Sequence, residues 1–174
     1  MTFPIYILAG KLFSNSQKAF TLENTKKLGE RKDNKIVYSE FEALYLAETY
    51  KAQIIKNSKT LSNNEIIKFF SKDKYFWEKY CVFKELRKKG YIVKVGIKFG
   101  GDFRVYSRPK NLRDFSANHH HAKYICYPTN SEKIDIKELI SKTRVSHSTG
   151  KKFLLAFVDK EDDVLFYEID WIKL

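Results

Sequence analysis

Cysteine, proline, glycine and methionine are scarce in this sequence: 174 residues hold two Cys, three Pro, seven Gly and one Met. The two cysteines, Cys81 and Cys126, stand 45 positions apart without a CxxC spacing. That pattern supports neither a disulfide framework nor a zinc site and fits a reducing, cytoplasmic location. Low glycine and proline beside 16% aromatic residues exclude disorder and collagen-like structure. No stretch approaches 18 consecutive apolar residues, and the start, MTFPIYILAGKLF, lacks a basic leader and a small-residue cleavage pattern. No membrane association and no processing are expected. The length allows one or two small domains and no more. There is no internal repeat and no low-complexity tract.

Positive charge is abundant. The formal net charge is +12 and the pI about 9.5, so nucleic acid leads the possible partners. The charge is uneven: residues 79–113 carry +9, whereas residues 159–174 carry −4. Within the basic stretch Lys98 is a candidate nucleic-acid contact, while Lys88 and Lys89 fit a solvated helix face equally well. The acidic segment Asp159, Lys160, Glu161, Asp162, Asp163 is expected to dock onto a basic pocket of a neighbouring subunit.

Hydrophobic periodicity predicts an α/β (α+β) chain with a small mixed domain over residues 1–74 and a second domain over 75–174. Residues 3–8 (FPIYIL) read as a buried strand, and 10–35 as further short strands and turns. Ser39 with Glu42 forms a capping-box signature opening a buried helix to Tyr50, and Ser62 signals a second helix that breaks at SKDK. In the second domain, Phe76, Tyr80, Phe83 and Leu86 mark a helix over 75–89 that Gly90 ends. YIVKVGIKF and FRVY read as strands joined by a turn at Gly100 and Gly101, and AKYICYP as a third strand. Asp135 caps a short helix to about Lys142, and FLLAFVD with VLFYEI closes as a hairpin around DKEDD. The expected result is a central mixed sheet flanked by helices.

Several chemistries lack their residues. His119, His120 and His121 alternate in direction on an extended segment and cannot share one metal ion. GGDF at 100–103 has one acid where cyclic dinucleotide synthases need two in a row, so it reads as a turn. There is no phosphate-binding glycine loop and no GxSxG elbow. The acids of DKEDD fit an exposed hairpin tip better than a metal-dependent nuclease. What remains is Tyr, His and Lys in a basic domain. RNA can be cut without metal if one group handles the 2′-hydroxyl proton, another protonates the 5′-oxygen, and a cation steadies the phosphorane. Composition alone does not choose those residues.

The string YCVFKELRKKGYIVKVGIKFGGDFRVY (80–106) resembles the archaeal tRNA-intron (splicing) endonuclease family, in which an LRxxGY-like helix end leads into VKxGxKFGxDFxVY. HAKYICY and RVSHSTGKKFLLAFVD are similar to that family's HSxYLV and RVAHSxxKKLLxAxVD blocks, in the same order. The YSEFEALYLAE helix matches more weakly. This resemblance implies Tyr106 as general base, His121 as general acid and Lys151 as the transition-state cation, in a C-terminal catalytic domain. It also implies Arg144 as a contact to a flipped-out bulge base. The loop between Tyr106 and His121 is longer than the family pattern, leaving His120 as the register alternative, and Ala122 stands where the family usually has Ser. A phenol titrates near 10, so neighbouring cations such as Lys151 would have to lower it, or Tyr106 orients the attacking oxygen. The implied substrate is precursor tRNA with a bulge-helix-bulge, cut to 2′,3′-cyclic phosphate and 5′-hydroxyl ends with no metal or other cofactor. The implied assembly is a homotetramer or a heterotetramer with a noncatalytic sister subunit. A noncatalytic structural subunit is the alternative role.

Overall fold

The computed structural model describes residues 2–96, 101–107, 112, 115 and 120–172. Among them are five helices and eleven strands in two mixed sheets, the mixed α/β architecture expected from sequence. The chain divides into two compact units, Met1–Phe76 with Asn111–Asp114, and Trp77–Lys110 with Phe115–Leu174.

In the first unit, β1 (Phe3–Leu8) turns through Ala9 and Gly10, both at positive φ, into antiparallel β2 (Lys11–Ser14). The sheet order is β3-β4-β2-β1-β5-β6, with β3 (Glu30–Lys32), β4 (Lys35–Tyr38), β5 (Ala52–Lys56) and β6 (Lys59–Thr60). Only β1 and β5 in this described sheet run parallel.

Residues 10–35 are not all strand and turn. They include helix α1 (Gln17–Lys26), capped where the Ser16 hydroxyl accepts from the Ala19 N–H and closed by Lys27 in the left-handed region. Its buried positions are Ala19 and Leu22 alone, too few to print a helical period on the sequence. Helix α2 (Glu40–Tyr50) is built as its capping box dictates; Leu44, Tyr45 and Leu46 are buried as expected, Ala43 is buried with them, and Phe41 is half-buried. Helix α3 (Asn63–Phe70) opens with a second box, Ser62 with Glu65.

Glu42 does more than cap α2. Its Oε2 accepts from the Ser39 N–H at 3.0 Å and the Ser39 hydroxyl at 3.1 Å, while Oε1 accepts from the Gly29 N–H at 2.9 Å. A buried carboxylate is therefore satisfied from two chain segments 10 residues apart in sequence. Gly29 sits at φ +85°, and a Cβ there would lie 2.3 Å from Ile36 Cγ2, so glycine is required for this approach.

The second sheet has the order β11-β10-β9-β8-β7. Helix α4 (Phe76–Lys88) ends at Gly90 (φ +87°), where the Tyr91 N–H bonds the Leu86 carbonyl at 3.1 Å. It leads to β7 (Ile92–Val95) and antiparallel β8 (Phe103–Tyr106); residues 97–100 between them, with Lys98 and Gly100, lie outside the described residues. Then follow β9 (Tyr124–Thr129), α5 (Ile136–Ser148), β10 (Lys152–Val158) and β11 (Val164–Ile169). Only β9 and β10 are parallel among these described strands.

Alternation assigns the two faces. Phe103 meets Phe83 of α4 with ring centroids 5.9 Å apart, whereas Ile125, Tyr127 and Phe153 point the other way and pack with Leu139 of α5. The sheet is flanked by a helix on each face, as expected. Helix α5 corrects the sequence reading: it runs six residues past Lys142, with Thr143 and Ser146 buried rather than apolar side chains. Gly101 brings β8 against β9, since a Cβ there would fall 2.2 Å from Ile125 Cγ2.

Replacing Glu42 by Ala strands the Gly29 and Ser39 donors. Denaturant unfolding should show a loss of about 2–3 kcal/mol with an unchanged m value.

Candidate active site

The candidate residues are set by where three strands begin and end. Tyr106 is the last residue of β8, and β9, antiparallel to it, starts at Tyr124, three positions after His121. Strand β10, parallel to β9, starts at Lys152, immediately after Lys151. Lys123 ties the three together. Its N–H donates to the Val105 carbonyl at 2.8 Å, and its carbonyl accepts from the Lys152 N–H at 3.0 Å. With neighbouring strands about 4.8 Å apart, Tyr106, His121 and Lys151 come to one end of one sheet.

Tyr106 is buried, 2% exposed, under the ring of Phe115, which meets it edge-on at 5.2 Å. Phe115 in turn packs against His120 with centroids 5.0 Å apart. Burial pushes the Tyr106 phenol above its ordinary value of 10.0, and the Arg104 guanidinium pulls it only partly back. The net direction is opposite to the lowering anticipated from nearby cations. His121 is exposed, and so is His120, whose ring is occupied with Phe115; His119 lies outside the described residues.

Lys151 is half-buried at the exit of α5. Its backbone N–H bonds the Ser146 carbonyl at 2.9 Å and its ammonium bonds the Thr149 carbonyl at 2.7 Å, so the helix end fixes the side chain. Arg144 is exposed on the last turns of the same helix. It lines a groove of about 500 Å³ with Lys137, Ile140, Ser141, Val145 and Ser148. Among the described residues no three His, Cys, Asp or Glu side chains gather closely enough to hold a metal ion. Cys81 and Cys126 are both free and buried, and burial pushes the Cys81 thiol up to about 12.

The chain matches the model of the tRNA intron endonuclease catalytic C-terminal domain over residues 76–166. It is 36% identical to the tRNA-splicing endonuclease of Pyrococcus abyssi over 171 residues, covering 97% of this chain and 95% of that one. It is 35% identical to that of Thermococcus onnurineus, covering 94% and 92%. Against that of Nanoarchaeum equitans the identity is 39%, covering 76% and 86%. The chain belongs to the tRNA intron endonuclease family. Tyr106, His121, Arg144, Lys151 and residues 159–163 all fall within the matched catalytic domain of this endonuclease family. No helix of the described residues is long and apolar enough to cross a membrane.

The acidic loop lies elsewhere. Strand β10 has seven residues, about 20 Å at 3.3 Å each, and the loop leaves its far end. Asp159 shapes it by accepting from the Glu161 N–H at 2.8 Å and the Asp163 N–H at 2.9 Å. Asp162, at φ +65°, accepts from the Trp77 indole N–H at 2.9 Å. Trp77, Tyr80, Lys84 and Lys88 of α4 and Asp162 and Asp163 of the loop line one cavity of about 420 Å³. Phe115, Arg104 and Trp77 were not singled out from sequence: Phe115 and Trp77 take their roles from partners set against them by the fold, and Arg104 acts on Tyr106 two residues along the same strand. For Trp77 the signal was its single indole donor at the start of a helix otherwise read as core.

Because the folded phenol holds its proton more tightly than the unfolded one, Tyr106 contributes stability below pH 10 that is lost as pH rises through the higher folded value. Ultraviolet titration of the wild type against Tyr106→Phe should show one phenol ionising above the ordinary value. The difference in stability between the two proteins should narrow in alkali.

Proposed function

We propose that this chain is a catalytic subunit that excises introns from precursor tRNA in the cytoplasm, cutting at bulge-helix-bulge motifs with residues 75–174 as the catalytic domain. The observation that supports it most is the Lys123 bridge, which gathers the end of β8 and the starts of β9 and β10. In this reading the 2′-hydroxyl attacks the adjacent phosphorus. His121 protonates the departing 5′-oxygen, and Lys151 steadies the charge gathering on the phosphorane. Products carry 2′,3′-cyclic phosphate and 5′-hydroxyl ends, and no step calls on a metal. Tyr106, with its raised phenol, is mostly protonated at neutral pH and serves better to orient the attacking oxygen than to strip its proton, which passes to solvent water as the bond to phosphorus forms and the bond to the 5′-oxygen breaks. Arg144 and Lys98 are the proposed RNA contacts, Arg144 stacking on an unpaired bulge base.

A second reading, a noncatalytic structural subunit, is favoured by the burial of Tyr106 beneath Phe115. Cleavage of a labelled bulge-helix-bulge RNA in excess EDTA separates the two. Wild type should cut at both junctions to cyclic phosphate, His121→Ala should be slower by roughly 100- to 10,000-fold, and Lys151→Ala by about 100-fold or more. Wild type as inactive as His121→Ala would favour the structural subunit.

Releasing an intron takes two cuts, and hence two sites at a fixed spacing. We propose that Asp159, Glu161, Asp162 and Asp163 join subunits into a homotetramer, or a heterotetramer with a sister chain. The loop's support is its charge contrast and its distance from the candidate site. Asp162→Lys with Asp163→Lys should drop the mass on sizing columns to dimer or below; an unchanged mass would sink the idea.

A further inference from the structure

The sheet of the first unit has two unlike faces. Phe3, Ile5, Leu12 and Ile36 turn inward and are buried. The helices lie on that side: Lys18 of α1 sits 5.3 Å over the Phe3 ring, and Arg31 of β3 5.3 Å over Phe20 of α1. The opposite face is apolar as well. Tyr6 and Phe13 face each other across β1 and β2 with ring centroids 5.9 Å apart, and Tyr6 is 37% exposed. Leu8, on the same face, is 68% exposed. A solvated face of a small sheet ordinarily carries polar side chains, so Tyr6 and Leu8 in the open beside the half-buried Phe13 ring mark a contact surface.

Its rim is basic. Lys11 pairs across from Leu8, and the Lys35 ammonium lies 5.0 Å from the Phe13 ring centroid. Lys32 pairs across from Lys35 and is 3.7 Å from the carboxylate of Glu30. Lys11 and Lys35 therefore set the charge beside the two rings. A second copy docking on this face through a two-fold axis would gather Lys11 and Lys35 of both copies at one interface, where their like charges repel. A duplex would hide its base faces from the rings. Unpaired nucleotides satisfy both features, since bases stack on aromatic faces and phosphates meet ammonium groups.

We propose that the outer face of this sheet is a second RNA contact, on which unpaired nucleotides of the precursor stack against Tyr6 and Phe13 while Lys11 and Lys35 hold their phosphates. This rests on the reading that the substrate is RNA. The face lies outside the span matched to the catalytic domain, and none of its residues belongs to the candidate site.

The test uses the full chain. Binding of an oligouridine of about ten nucleotides, and of the bulge-helix-bulge RNA with and without single-stranded tails, is measured for wild type, Tyr6→Phe, Lys35→Gln and Tyr6→Ala/Lys35→Gln. The double variant should bind oligouridine and tailed RNA about tenfold more weakly. Tyr6→Phe, which keeps the ring, should match wild type. Lys35→Gln should reduce the salt slope for oligouridine by about 0.7. Cleavage of the untailed RNA and the mass on sizing should stay unchanged in every variant. Unchanged oligouridine affinity in the double variant overturns the proposal, and so does an altered mass with full RNA affinity, which would make the face a protein contact. Wild type that binds oligouridine through these residues yet never cuts the bulged RNA would overturn the reading of function and uphold the platform.

Discussion

One parallel strand pair sets the candidate site. Parallel neighbours cannot be joined by a hairpin; the chain must leave one end of β9 and return to the other before β10 begins, and α5 is that return. The residues entering β9 and β10 are thereby forced to one end of the sheet. Because β8 runs antiparallel to β9, the residue leaving β8 arrives there too. Tyr106, His121 and Lys151 are separated by 15 and then 30 positions in sequence, and topology alone brings them to one end of the sheet. The Lys123 backbone bonds lock that arrangement.

The same end is electrically mixed. Tyr106 is withdrawn from solvent, which favours the neutral phenol, while the Lys151 ammonium is held by the Thr149 carbonyl at the α5 terminus. A neutral hydroxyl and a fixed cation suit a reaction in which negative charge grows on phosphorus. They suit abstraction of a proton by tyrosine much less. Phe115 is central to this balance, because its ring supplies the cover that desolvates Tyr106 and at the same time engages His120. That leaves His121 the exposed imidazole nearer β9.

The legible parts of the fold were those with strong local signals. Ser39 with Glu42 and Ser62 with Glu65 wrote their helix starts into the sequence, and Gly90 wrote a helix end. Helix α1 was illegible because Ser16 has Ala19 at the position where a box needs Glu or Gln, and two small buried contacts suffice to seat it. Helix α5 was read too short because its later turns bury Thr143 and Ser146, whose polarity masks the period. The candidate residues were legible only through motif resemblance. No spacing rule could pair Tyr106 with Lys151, and nothing local reveals Phe115 over Tyr106 or Trp77 holding Asp162.

Strand β10 then separates two tasks in space. Its first residue follows Lys151, at the end proposed for chemistry, and its last precedes the acidic loop, about 20 Å away. Charge inverts along the same strand, from the Lys151 and Lys152 pair to the cluster beginning at Asp159. A polyanion is drawn toward one end and repelled from the other, which orients it before any specific contact forms. The Trp77 bond keeps the acidic end shaped while it repels. On the proposed reading, substitutions in the loop therefore act on assembly and on approach of the RNA, whereas those around Tyr106 act on the bond that breaks.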